Sequence, residues 1–278
     1  MATFNRKSKT LRLLDQLSAT ITGFTFDIIV IDNNSVDGTR EAIFNLDNSS
    51  IRLFSTPREM YWAESMNYGY EHIVKCTDYD FLISLNDDIV LFDDWFIKVS
   101  EDIEFLGYSQ YVLAYSFKDM NSCHSYGGLQ SMFRLIKTKL KQVTPNGEFQ
   151  RVDTLNFNFV VTPRLLLERE GFLCKYFVHG LADFDFGLRM SSVGVPVLIS
   201  GGYLGICNRN NIEGTSADLS LPFIDRVRKL HSKKEQPVIP RVIYYIRHDK
   251  IMSLLSYFFV YASFLKSSCR DFRNNTNT

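Results

Sequence analysis

Acidic residues close two apolar runs in this chain. Asp27–Asp32 reads Asp-Ile-Ile-Val-Ile-Asp, and Asp80–Leu85 is followed at once by Asn86, Asp87 and Asp88. Closely spaced carboxylates present the oxygen ligands that a hard divalent cation takes; the competing reading is an acidic turn that ends a strand. A third group, Asp183 and Asp185, opens the stretch Asp183–Val193. One carboxylate there could take a proton from a reacting hydroxyl, or the pair could simply sit favourably at a helix start. Asp37, before Gly38 and Thr39, reads equally well as a helix cap.

The elements that must position these groups follow from periodicity. Lys7–Leu17 has apolar spacing at Leu11, Leu14 and Leu17, which predicts a helix. Asp27–Asp32 and Asp80–Leu85 predict buried parallel strands, Ile51–Phe54 a short one, and Glu64–Val74 a helix. Helix is predicted at Asp94–Phe105, strand at Tyr111–Tyr115, and helix from Pro163 to Glu170 and from Asp183 to Val193, with a strand at Val195–Ser200. The stretch from Gly127 to Asn158 reads as a hairpin or excursion around Pro145, Asn146 and Gly147. Strands alternating with helices predict a parallel α/β sheet, whose ligands bind beyond the carboxyl ends of the strands. Asp32, Asp87 and Asp88 all fall on that edge.

With 278 residues, 45% of them apolar, the chain is long enough to bury a large core. Lys+Arg and Asp+Glu both number 31, so no basic field points to nucleic acid. Five scattered cysteines without CxxC spacing predict neither a disulfide framework nor a zinc site, and fit a reducing compartment. Five dispersed histidines lack the HExxH spacing of a zinc hydrolase. No secretory signal and no spanning run is legible. Ile251–Leu265 is apolar and flanked by Arg247, Lys250, Lys266 and Arg270. Two readings stand for it: a helix in a membrane interface, or one packed on the core.

Four segments stand in one order: Thr3, Phe4, Asn5 and Arg6; Asp32 to Thr39; Asn86, Asp87 and Asp88; and Asp183 to Arg189. In order and spacing, over roughly Ala2 to Gly205, they resemble the family 2 glycosyltransferases, in particular the bacterial enzymes of surface-polysaccharide assembly. The resemblance implies a GT-A fold: a Rossmann-like, mostly parallel sheet flanked by helices over residues 1–220, with a nucleotide-binding half at about 1–95 and an acceptor half at 96–220. A basic, helical C-terminal region, 221–278, would follow.

The resemblance also implies roles. Asp88 would hold Mg²⁺ or Mn²⁺ against a nucleotide-diphosphate sugar, with Asn86 or Asp87 beside the ribose. Asp32 would read the nucleobase, and Thr3, Asn5, Asn34 and Ser35 would line the nucleotide pocket. Asp183 matches the general base, with Asp185 its rival; Arg189 would be structural. Pro57–Tyr70 resembles the segment covering the donor, where Trp62 and Tyr61 could stack and Glu64 and Asn67 could hydrogen-bond; packing is the competing reading of Trp62. Arg209 would reach the diphosphate. His179 reads either as an acceptor-pocket residue or as a satisfied core histidine.

The expected activity is inverting sugar transfer to a saccharide or lipid-linked acceptor, in the cytoplasm at the inner face of the membrane, the basic C-terminal region meeting anionic headgroups. Three departures motivate the alternative of a degenerate scaffold: Asn86 at the first acidic position, Ala182 before Asp183, and a first strand reduced to Met1 and Ala2. That strand should be central, so its loss would expose ladder groups; a true start upstream is the favoured reading, beside a tolerated gap in the sheet and a degenerate copy. A nucleotidyltransferase would need a glycine-rich N-terminal loop, which Arg6, Lys7, Ser8 and Lys9 do not supply.

Overall fold

The computed structural model describes residues 1–19, 25–76, 78–107, 110–132, 139–235 and 238–248, with 258, 261, 262, 264 and 265. Most of Ile251–Leu265 therefore lies outside the described residues. The first half runs β1 (Ala2–Thr3), α1 (Lys7–Ser18), β2 (Ile28–Asp32), α2 (Thr39–Phe44), β3 (Ile51–Ser55), α3 (Trp62–Cys76), β4 (Phe81–Leu85), β5 (Val90–Leu91) and α4 (Trp95–Leu106). Then come β6 (Val112–Lys118), β7 (His124–Tyr126), β8 (Gly128–Met132), β9 (Lys139–Gln142), β10 (Gln150–Val152), β11 (Thr154–Leu155) and β12 (Phe159–Pro163). The rest is α5 (Arg164–Glu170), α6 (Ala182–Ser192), β13 (Val197–Ile206), α7 (Phe223–Leu230) and α8 (Val238–His248). This is an α/β fold with helices on both faces.

The ladders divide at the short first strand. β1, β2 and β3 form one parallel sheet, with Thr3 opposite Asp32 and Asp32 opposite Ser55. A mixed sheet follows in the order β10, β13, β6, β12, β4, and among the described residues no pairing joins β1 to β4. β12 lies antiparallel between β6 and β4. β4 was expected as a fully buried parallel strand; its paired neighbour is antiparallel, and its first three residues stay partly exposed.

Packing does not divide where the ladders do. Side chains alternate across the strands, so Val112 and Ala114 of β6 enter one buried cluster while Leu113, Tyr115 and Phe117 enter the other. Ala2 and Ile31 join the first cluster beside Ala63, Met66 and Phe186; Met1, Ile28 and Val30 join the second beside Leu13, Leu14 and Trp95. Both apolar faces at β1 are thus covered. Gly69 lets α3 lie close on β2, since a β-carbon there would meet Ile31 Cγ1 at 2.8 Å.

Candidate active site

The carboxyl ends of β1 and β2 are held by short polar bonds. Asp32 is fully buried and accepts from the Ser35 amide at 3.3 and 3.2 Å. Asn5, at φ 51, receives the Val36 amide on Oδ1 at 2.8 Å, while its own amide donates to Ser35 Oγ at 2.9 Å. Asn34 Nδ2 donates to the Thr56 carbonyl at 3.2 Å. Asp37 accepts from the Lys7 amide at 3.0 Å and from the Thr39 amide and hydroxyl, tying the starts of α1 and α2 together. The Thr39 hydroxyl bond, then the Lys7 amide, hold its carboxyl below the ordinary range.

Beyond β4 the acidic turn faces α1. Thr3 Oγ1 and Thr10 Oγ1 lie 2.7 Å apart, and Thr10 Oγ1 donates to Asp87 Oδ2 at 3.5 Å. Arg6 Nη1 donates to both Asp87 Oδ1, at 2.7 Å, and Asp88 Oδ2, at 3.1 Å. Burial raises the Asp87 carboxyl above its ordinary range against the opposing pull of Arg6. Asp88 Oδ1 faces the Cys207 thiol at 3.9 Å. Burial, reinforced by the Asp88 charge, pushes that thiol up to about 12, so it stays neutral.

One short stretch, Asn156 to Asn158, connects this turn to α6. Asn158 gives its carbonyl to the Asn86 amide at 3.2 Å and its Nδ2 to Cys207 at 3.3 Å. Two residues earlier, Asn156 Nδ2 reaches Asp183 Oδ2 at 3.5 Å. Asp183 also takes the Phe184 amide at 2.9 Å. Desolvation pushes its carboxyl up to about 6, against those two hydrogen bonds. Leu181, at φ 71, turns the chain into α6. Gly187 lets that helix sit on β11, for a β-carbon there would lie 2.7 Å from Thr154 Cα.

Asp185 occupies different surroundings. Fully buried, it accepts from Arg189 Nε at 3.1 Å, Arg247 Nη1 at 3.1 Å and His248 Nε2 at 2.9 Å. Burial opposes its charge, but the His248 bond and the Arg189 charge hold its carboxyl below the ordinary range. Arg189 also donates to the Glu170 carbonyl at 3.0 Å and to the Phe172 carbonyl. The set clamps α8 onto α6.

Residues 1–171 match the family described as glycosyl transferase family 2. The chain belongs to that family. The match stops before α6, so the places of Asp183 and Asp185 rest on geometry alone. No curated protein matches at the sequence level. Among solved structures, GalNAc-T7 with UDP, GalNAc and Mn²⁺ aligns with 76% of this chain at TM-score 0.58 and 14% identity; the alignment spans 42% of its own length. The mannosyltransferase PcManGT from Pyrobaculum calidifontis, in complex with GDP-Man and Mn²⁺, aligns with 100% of this chain and 74% of its own at TM-score 0.57 and 12% identity. S. aureus TarS 1-349 aligns over 88% and 70%, at TM-score 0.55 and 14% identity.

The remaining candidate residues distribute unevenly. Trp62 Nε1 donates to Asn86 Oδ1 at 3.0 Å, and its ring meets Phe157 edge-on at 5.9 Å, so it both packs and touches the acidic turn. Glu64 is spent on α3: it takes the Tyr61 amide at 3.1 Å and pairs with Arg58 at 2.8 Å. Asn67 stands half-buried on α3. Arg209 turns away from the acidic pair, donating to the His124 carbonyl at 3.0 Å and Gln142 Oε1 at 3.1 Å. His179 is pushed down to about 4 by burial and by the charges of Lys234 and Arg6. Its ring stands 6.1 Å from that of Tyr61. Sequence reasoning singled out neither Asn156 and Asn158 nor Cys207, and gave Arg6 no role of its own.

Proposed function

We propose that this chain is an inverting, metal-dependent glycosyltransferase, moving a sugar from a nucleotide-diphosphate donor to a saccharide or lipid-linked saccharide acceptor in polysaccharide assembly. The observation that carries the reading is a pair of contacts made by neighbouring asparagines: Asn158 meets Cys207, which faces Asp88, and Asn156, two residues earlier, meets Asp183. It links the acidic turn to the carboxylate at the start of α6 through one short stretch of chain.

Asp88 and Asp87 offer a hard cation adjacent carboxylate oxygens, which fits an ion whose other ligands are diphosphate and water. Such an ion supplies neutralisation of charge on the leaving diphosphate. Asp32 would accept from the nucleobase, while Thr3, Asn5, Asn34, Ser35, Asn86 and Trp62 shape the pocket around it. Asp183, poised near neutrality, would take the acceptor hydroxyl proton as the oxygen attacks the anomeric carbon opposite the departing diphosphate. Asp185 would hold α6 rather than act on substrate. Arg209 would reach a diphosphate only by leaving its present partners.

The described helices include none long and apolar enough to cross a membrane. Exposed Phe223 and Ile224 beside Arg228 on α7 support a peripheral contact with an anionic surface. One observation favours the scaffold reading: the Arg6 guanidinium already pairs with both carboxylates.

A panel of UDP- and GDP-sugars, assayed with Mn²⁺ for nucleoside diphosphate release and by NMR for the new anomeric centre, tests the proposal. Turnover with inversion is expected; binding without turnover would favour the scaffold.

A further inference from the structure

Arg6 is the last residue before α1, and its backbone carbonyl already accepts the Thr10 amide at 2.9 Å. Its side chain is 42% exposed, so it can move without unpacking the core. Through the single nitrogen Nη1 it bridges Asp87 Oδ1 and Asp88 Oδ2. These two oxygens belong to the carboxylates that a divalent cation would use. Two positive centres at one pair of oxygens repel each other strongly. A cation taking those two oxygens would displace Arg6. Once freed, the guanidinium is a five-donor fork with high affinity for phosphate oxygens. The diphosphate that accompanies the cation brings such oxygens to the same place.

We propose that Arg6 is an exchangeable counter-ion: it pairs with Asp87 and Asp88 when no metal is present, and passes to the donor diphosphate when metal and nucleotide enter together. The inference rests on the reading of Asp88 as a metal-holding residue. It makes metal and nucleotide binding reciprocal, each removing a cost from the other. It also offsets part of the charge of the acidic pair at rest, which matters because Asp87 is nearly sealed from water, with a side chain 4% exposed.

The test is Mn²⁺ binding followed by electron paramagnetic resonance of the free ion, with and without UDP or GDP, for the full chain and for Arg6→Met and Arg6→Lys. In the wild type, nucleotide should tighten Mn²⁺ binding by roughly tenfold or more, within the range usual for coupled sites. In Arg6→Met, Mn²⁺ alone should bind several-fold more tightly, and the tightening by nucleotide should shrink to the part that direct ligation of the ion by the diphosphate supplies. Arg6→Lys, which keeps the charge but loses the fork, should fall between them; it also carries the test if the methionine variant does not fold. Mn²⁺ affinity and coupling unchanged in both variants would overturn the exchange while leaving Asp88 as a ligand. Absence of Mn²⁺ binding in every protein, with either nucleotide, would overturn the metal reading itself and the exchange with it.

Discussion

Asp183 and Asp185 stand two residues apart in the first turn of α6 and meet opposite surroundings. Asp183 is partly exposed, touched by Asn156 and the Phe184 amide, with its carboxyl raised to about 6. Asp185 is fully buried and bonded by Arg189, Arg247 and His248. On a helix, residues two apart point in different directions, so one turn can serve both the site and the clamp.

Asp183→Asn should lower turnover by roughly a hundredfold to ten-thousandfold, the usual worth of a general base, with donor binding nearly unchanged. Calorimetric titration of the donor beside initial rates checks this. Retained turnover would move the base to another residue.

The raised Asp183 carboxyl also sets a pH dependence. A base must be ionised, so the rate should rise with pH through a midpoint near 6. Stability runs the other way: a folded-state value above the ordinary 3.8 favours the folded protein at low pH, and that contribution is lost as pH rises through about 6. Thermal melts of wild type and Asp183→Asn from pH 4 to 8 should therefore diverge as pH rises, with the variant the more stable above 6. Parallel curves would contradict the assignment.

Asp185→Asn should destabilise the fold by about 3–5 kcal/mol, because it strips a buried anion from its cationic partners. Chemical denaturation measures this directly. Deleting α8 should do similar damage by removing Arg247 and His248, so truncation does not isolate a membrane role. Charge reversal at Arg228 and Lys229 is the cleaner variant: co-sedimentation with phosphatidylserine vesicles should fall roughly tenfold or more. Unchanged sedimentation would remove the peripheral-contact proposal.

Gly187→Ala should cost about 1–3 kcal/mol and displace α6, since the added methyl meets the Thr154 backbone. Turnover should fall more than donor affinity, as the helix that moves carries Asp183 and not the acidic turn. An active, fully stable variant would show that α6 is less tightly seated than its contact with β11 implies.

The acid-tipped strands were legible because continuous apolar runs ending in carboxylates have few other readings. Direction was not: Phe159–Pro163 has the same apolar pattern whichever way it runs, and it lies antiparallel between β4 and β6. The division of the ladders at β1 followed from its two residues, yet the cover on both faces came from α1 and α3, which a strand pattern does not reveal. The resemblance favoured Asp183 over Asp185, but the burial and the α8 partners that set their surroundings apart lie more than sixty residues on and are invisible in local spacing. Arg6 meets Asp87 and Asp88 across about eighty residues of chain, a contact no local motif encodes.

The central claim is that Asp32, Asp88 and Asp183 serve one substrate. A crystal structure with Mn²⁺ and UDP or GDP bound tests it most directly. The account predicts the ion on Asp88, the base against Asp32, and Asp183 facing the space beyond the terminal phosphate. A nucleotide bound elsewhere, or a diphosphate with no ion at Asp88, would contradict it.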